Sequence, residues 1–212
     1  MSTYMKEIEV KPSHLEIMRE IANIGAGNSV TSLATLTDQR IDMSVPEVGI
    51  VSLADFVATM GGAEEISVCI YMFVEGDAPG HIAFLTSQSG AMRMADRMLC
   101  REWGETEQLD DLECSCIMEL GNILSCSYLT AISDMTHLTL TATPPAFALD
   151  YAAAVLSSLQ IYLESVDALN AEALTIQTEL GGGKESITGF FIYVPAPGSM
   201  EIILKALNME GD

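Results

Sequence analysis

The chain repeats itself, and that repeat limits what it can fold into more than any other feature. Displaced by 99 positions, Glu16-Ile-Met-Arg-Glu20-Ile-Ala-Asn23-Ile24 falls on Ser115-Cys-Ile-Met-Glu119-Leu-Gly-Asn122-Ile123. Thr31 falls on Thr130, Thr37 on Thr136 and Pro46 on Pro145. The apolar positions Ile21, Leu33, Leu36 and Ile41 fall on Leu120, Ile132, Met135 and Leu140. Self-similarity at a fixed period marks two copies of one supersecondary unit, neither of which buries its apolar face alone. The copies span about 11–101 and 110–208, and together they predict a single domain made of two similar halves.

Each half opens with a helix. Ser13 reads as its N-cap, with Glu16 three residues on completing a capping box. Leu15, Met18, Ile21, Ala22 and Val30 supply the apolar face of the first copy, and Ile117, Leu120, Leu124 and Ile132 that of the second. Strands follow at about Arg40–Val45 and His137–Ala142, then a proline, then a short helical piece. Ile66–Val74 alternates apolar and small or polar residues with the period of a strand. Gly76-Asp77 and Pro79-Gly80 turn it back into a hairpin with Gly80–Thr86. Leu174–Leu180, Gly181–Lys184 and Ile187–Val194 repeat that plan, and Gly90–Cys100 and Ser199–Leu207 close the halves as amphipathic helices. Val155–Ala171 fits helix or strand equally. The expected class is α+β, with a mainly antiparallel sheet flanked by helices and a pseudo-twofold relation between the halves.

Composition excludes several functions. Nine Lys and Arg against 30 Asp and Glu leave a formal charge of −21, so no basic footprint exists for nucleic acid. The same charge disfavours docking on anionic lipid. The start lacks an apolar signal region and no run reaches about 18 apolar residues, which predicts a cytoplasmic chain rather than an exported or membrane-spanning one. Five cysteines, an odd number, then read as free thiols. Cys114-x-Cys116 has no second Cys or His pair to complete a zinc site, so no metal is expected. His14, His81 and His137 stand far apart and read as surface or loop residues. Phosphate-loop, nucleophile-elbow and zinc-protease motifs are absent from the sequence.

The residues that invite a chemical reading lie on the opening helices. Glu16, Glu20, Asn23 and Gly27 are spaced i, i+4, i+7 and i+11, which places them on one stripe. Ser115, Glu119, Asn122 and Cys126 form the matching stripe. A carboxylate can pair with a partner's cation, a carboxamide can donate and accept at once and so orient a water, and a small residue one turn on admits a close neighbour. A solvated helix face carries such pairs too, and Glu16 serves equally as a capping residue. Recurrence of the pair in both copies is what sets it apart.

Arg19-Glu-Ile-Ala-Asn-Ile-Gly-Ala-Gly27 and Met118-Glu-Leu-Gly-Asn-Ile-Leu124, with the 99-residue duplication and Pro46 and Pro145, resemble the CheC/CheX/FliY family of chemotaxis phosphatases. The family motif is [DS]-x-x-x-E-x-x-N-x-x-x-G, and the resemblance covers nearly the whole chain. It implies hydrolysis of the aspartyl phosphate of the response regulator CheY. The helix inserts into the partner's site, Asn23 or Asn122 orients water for in-line attack, and Glu20 or Glu119 pairs with the partner's Lys. No cofactor of the chain's own is implied, because Mg²⁺ is held by CheY. Glu16 departs from the family's Asp or Ser, and Cys126 replaces the motif Gly.

The family also binds CheD, a receptor glutamine deamidase. Its contact surface maps to the short helix expected after Pro145, with Asp150, Phe147 and Tyr151 as contact candidates, although Phe147 also suits the core. The competing reading is a non-catalytic adaptor for CheD or CheY-phosphate, in which Asn23 and Asn122 are dispensable. A flagellar switch component is disfavoured, since no switch-type domain is expected after Leu207.

Overall fold

The computed structural model describes residues 12–162, 172–181 and 185–207. Helix α1 (Pro12–Thr37) leads into strand β1 (Met43–Ser52) and helix α2 (Leu53–Thr59). The hairpin β2 (Ile66–Gly76) and β3 (Gly80–Ser87) and helix α3 (Gln88–Met98) complete the first half. The second half runs through α4 (Asp111–Thr136), β4 (Leu140–Ala142), β5 (Ala146–Tyr151), α5 (Ala152–Tyr162), β6 (Glu172–Leu180), β7 (Ile187–Pro195) and α6 (Ser199–Ala206).

All described strand pairings are antiparallel, in the order β1-β6-β7-β3-β2, with β4 and β5 both on the outer edge of β2. The order reads the same from either end. The hairpins of the two halves meet at β3–β7, and each half's leading strand crosses over to flank the other's hairpin: β1 on β6, and β4 with β5 on β2. The α+β class, the antiparallel sheet and the pseudo-twofold duplication are therefore as expected.

Both faces of the sheet are covered. Val68, Ile70, Met72 and Val74 of β2 point into the larger core with Ile21 and Leu33 of α1, Ile117, Leu120 and Leu124 of α4, Met94 of α3 and Ile203 of α6. Cys69 and Tyr71 point the other way, into a smaller core with Leu53 and Phe56 of α2 and Val155 and Leu156 of α5. Burial pushes the Cys69 thiol up to about 12, so it is inert as a nucleophile. Two glycines let the helices approach. A Cβ on Gly25 would lie 2.6 Å from the Tyr128 ring of α4, and one on Gly121 2.7 Å from Ile70 of β2. Helix α4 has a mean hydropathy of 1.2 over 18 residues, enough for a membrane span by length and composition. That window is 56% buried in the fold, as suits a core helix.

Serine and threonine stay helical here because their hydroxyls bond back one turn. Ser29, Thr31, Thr35 and Thr37 donate to Gly25, Gly27, Thr31 and Leu33 carbonyls at 2.8–3.0 Å. The two long helices are followed by matched left-handed residues, Asp38 at φ 53° and His137 at φ 59°.

The connection to α4 is tied down by one buried carboxylate. Asp96 accepts from the backbone N–H groups of Thr106 (2.7 Å) and Gly104 (2.8 Å) and from the Arg93 guanidinium (2.9 Å). Arg101 then reaches Glu113 in the first turn of α4 at 2.7 Å. Burial alone would raise the Asp96 carboxyl, but its bonds to Thr106, Arg93 and Gly104 outweigh it and hold the group at about 2.

Several local expectations fail. Ser13 lies inside the first turn of α1, because the helix already includes Pro12. The strand expected at Arg40–Val45 starts at Met43 and runs straight through Pro46 to Ser52. Pro46 sits on an edge strand where the register with β6 shifts between Ser44 and Glu47, so its missing N–H breaks no ladder. In the second copy the paired Pro144-Pro145 splits the equivalent strand into β4 and β5. His137 caps α4 and belongs to no strand. The helix expected directly after Pro145 is strand β5 up to Tyr151, with helix only from Ala152. That helix resolves the ambiguous segment as far as Tyr162; residues 163–171 and 182–184 lie outside the described residues. His14 is buried, and His81 sits on β3 with its Nδ1 bonded to the Tyr71 hydroxyl, where burial lowers its pKa.

Candidate functional site

Helices α1 and α4 lie side by side on one face of the sheet, each with one face in the core. On α1 the core takes Met18, Ile21, Ala22, Ala26 and Leu33. The opposite stripe, Glu16, Glu20, Asn23 and Gly27, is exposed at all four positions. On α4 the core takes Ile117, Leu120, Leu124 and Tyr128, and Ser115, Glu119 and Cys126 are exposed, with Asn122 half-buried among them. Helical spacing therefore brings each Glu and Asn together on an outward surface, away from any packing duty.

The small residues of the two stripes differ. A Cβ added at Gly27 would meet nothing within 4 Å, so no internal packing calls for glycine there. What Gly27 leaves open is space outside the helix. Gly27→Leu should leave the unfolding midpoint unchanged or raise it, since Leu gains about 0.8 kcal/mol over Gly in a helix. The same change should impair docking of any partner on the α1 stripe, as titration of that partner would show. In the second stripe the Cys126 thiol donates to Asn122 Oδ1 at 3.5 Å. Partial desolvation of the thiol against its neighbours, and then the Glu119 carboxylate, raise the Cys126 pKa. Ser115 spends its hydroxyl on the Asp111 carbonyl at 2.7 Å.

Between the helices runs a shallow open groove of about 610 Å³, lined by Asn28 and Thr31 of α1 and Asn122, Cys126, Thr130 and Asp134 of α4, among others. Asn122 thus stands at a groove wall, whereas Asn23 stands on open surface. Sequence reasoning singled out neither Asn28 nor Asp134; the alignment of Thr31 with Thr130 was the available signal, since it marks where the two helices face each other.

The segment expected as a helical docking surface is edge strand β5. Its register against β2 puts Phe147 opposite Ile70 and Tyr151 opposite Ile66 on the α4 side of the sheet, with Asp150 opposite Ser67 on the other. Phe147 packs against the larger core, while Leu149, Asp150 and Tyr151 are exposed. The period-two run Phe147, Leu149, Tyr151 was the signal for a strand. Among the described residues, no group of three or more His, Cys, Asp or Glu is placed to hold a metal ion.

Comparison with known proteins fits this architecture. The CheC-like family matches residues 14–50 and 112–149, which hold the two stripes. "CheY-P phosphatase CheC" of Bacillus subtilis (strain 168) is 31% identical over 203 residues, 94% of this chain and 96% of that protein. The crystal structure of Thermotoga maritima FliY superposes with a TM-score of 0.76 at 16% identity, covering 96% of this chain and 100% of that one. The FliM middle domain from H. pylori superposes with a TM-score of 0.67 at 15% identity over 93% of this chain and 99% of that one. At those identities the two structures speak for the fold. With its duplicated motif and a relative matched along nearly its full length, the chain belongs to the CheC-like family.

Proposed function

We propose that this chain is a protein aspartyl-phosphate phosphatase acting on the chemotaxis response regulator CheY. The observation that carries the reading is the outward placement of exposed Glu20 with exposed Asn23, and of exposed Glu119 with half-buried Asn122, on helix faces turned away from the core. Phosphoryl transfer needs little covalent chemistry from the protein; a water held in line with the scissile bond supplies much of the gain. The carboxamide of Asn23 or Asn122 suits that task, since it donates and accepts within one rigid plane. Glu20 or Glu119, one turn earlier, reaches for a cation on the partner and sets the register of docking. Mg²⁺ and the phosphorylated Asp belong to CheY in this reading, and the metal neutralises charge on the transferring group. The net charge of −21 favours approach of a Lys-bearing site, though salt screens it beyond about 8 Å. The test is the decay of phosphorylated CheY with and without the chain. Acceleration supports the reading, and none, with or without CheD, leaves the helices as binding surfaces of an adaptor.

CheD docking belongs to the same proposal. Edge strand β5 presents Asp150 and Tyr151 to solvent, with Tyr151 53% exposed beside Leu149 and Ile66. Asp150→Lys should weaken CheD binding by at least about tenfold, because a reversed charge in an interface costs more than a kcal/mol or two. It should leave CheY-phosphate decay without CheD unchanged. Isothermal titration with CheD decides it, and unaltered affinity would remove β5 from the interface.

A further inference from the structure

The two stripes differ at one position, and the difference touches the reacting group of the phosphatase reading. We propose that Cys126 is a positioning residue for Asn122, holding its carboxamide in one orientation for the water it aligns; this rests on the function proposed above. The Cys126 Sγ lies 3.5 Å from Asn122 Oδ1, within sulfur hydrogen-bond reach, one helical turn away. At the matched position of α1 stands Gly27, which has no side chain to offer Asn23.

A carboxamide has two ends of nearly equal shape and opposite polarity. Rotated by half a turn, Asn122 would set its N–H₂ donors against the thiol, which is a weak acceptor. A thiol donor therefore selects the rotation that brings Oδ1 toward Cys126. It leaves the second lone pair of Oδ1 and both Nδ2 hydrogens for water. A thiol is protonated at neutral pH, and partial desolvation with the Glu119 carboxylate favours that form further, so the donor persists there. Asn122 also lines the groove between the helices, across from Asn28 and Thr31 of α1. Asn23, on open surface, has no such thiol donor one turn on. The residue that departs from the family motif thereby supplies order at the second site instead of only crowding it.

The experiment isolates the second site in an Asn23→Ala background and measures kcat and KM for the decay of phosphorylated CheY. Cys126→Ala in that background should lower kcat about threefold with KM unchanged, as expected when one weak hydrogen bond that orders a reacting group is lost. Cys126→Val, which keeps a side chain of similar bulk without a donor, should lose as much as Cys126→Ala. An unchanged kcat in Cys126→Ala, a change confined to KM, or a kcat kept by valine would each overturn the positioning role. The Asn23→Ala/Asn122→Ala pair separates the two levels. If that pair keeps full activity, the phosphatase site itself is misplaced; if it is inactive while Cys126→Ala behaves as the background does, only the positioning role fails.

Discussion

Replacing Asn23 and Asn122 together by alanine should return the decay of phosphorylated CheY to the rate of CheY alone, a loss of about a hundredfold or more. Removing one group that orients or stabilises reacting atoms costs about 10²–10³ in rate, and the double variant removes it from both places where the fold provides it. Each single variant should keep a share of the activity, and the shares rank the sites. The fold should not suffer. Asn23 is exposed and Asn122 half-buried, so exposed-face alanines on two long helices cost little and should even favour helix. Stopped-flow or radiolabel decay checks the rates, and an unchanged thermal midpoint checks the fold. Full activity in the double variant would take Asn23 and Asn122 out of the chemistry and place the phosphatase site elsewhere on the chain.

Asp96→Ala should destabilise the protein by about 3 kcal/mol, the largest stability effect expected of a single polar substitution here. Asp96 is 0% exposed. Its loss strands the N–H groups of Gly104 and Thr106 and leaves the Arg93 guanidinium without its carboxylate partner. Acid should mimic the substitution. The carboxyl is held at about 2, below its ordinary value of 3.8, so the folded state favours the charged form. Its contribution is complete above the ordinary value and fades as pH falls from about 4 through 2. Urea unfolding midpoints should therefore differ most between wild type and variant near neutral pH and converge toward about pH 2. A constant gap across that range would place the stabilisation in packing and not in the charge.

The opening helices, the hairpins and the closing helices were legible because each carries its own period. In β2, Val68, Ile70, Met72 and Val74 alternate with Cys69 and Tyr71 whichever strands lie beside them. The repeat then made the Glu-x-x-Asn pairs legible as candidates, since exposure and recurrence are both readable from spacing. What spacing did not reveal was the environment that alters local rules. Pro46 reads as a strand terminator until β1 is known to be an edge strand with a register shift. Phe147, Leu149 and Tyr151 carry a strand period that the preceding prolines obscured. The burial of His14 is a tertiary fact, with no counterpart in composition or period. The thiol contact at Asn122 is local, one turn along α4, and spacing showed the neighbourhood of the two side chains but not the bond between them.

The exchange of leading strands between the halves has a consequence for how such a chain arises and diversifies. A half on its own would have a hairpin with one flank bare and a leading strand with no hairpin to cover. Two separate copies could satisfy each other and build the same sheet as a homodimer, with two identical motif helices side by side. Joining them end to end through the segment that Asp96 secures turns that assembly into one polypeptide. In a homodimer every substitution occurs twice. In the joined chain a residue can change on one helix while its counterpart stays, which is the situation of Cys126 and Gly27. Fusion of this kind lets one surface specialise while the other retains the original task.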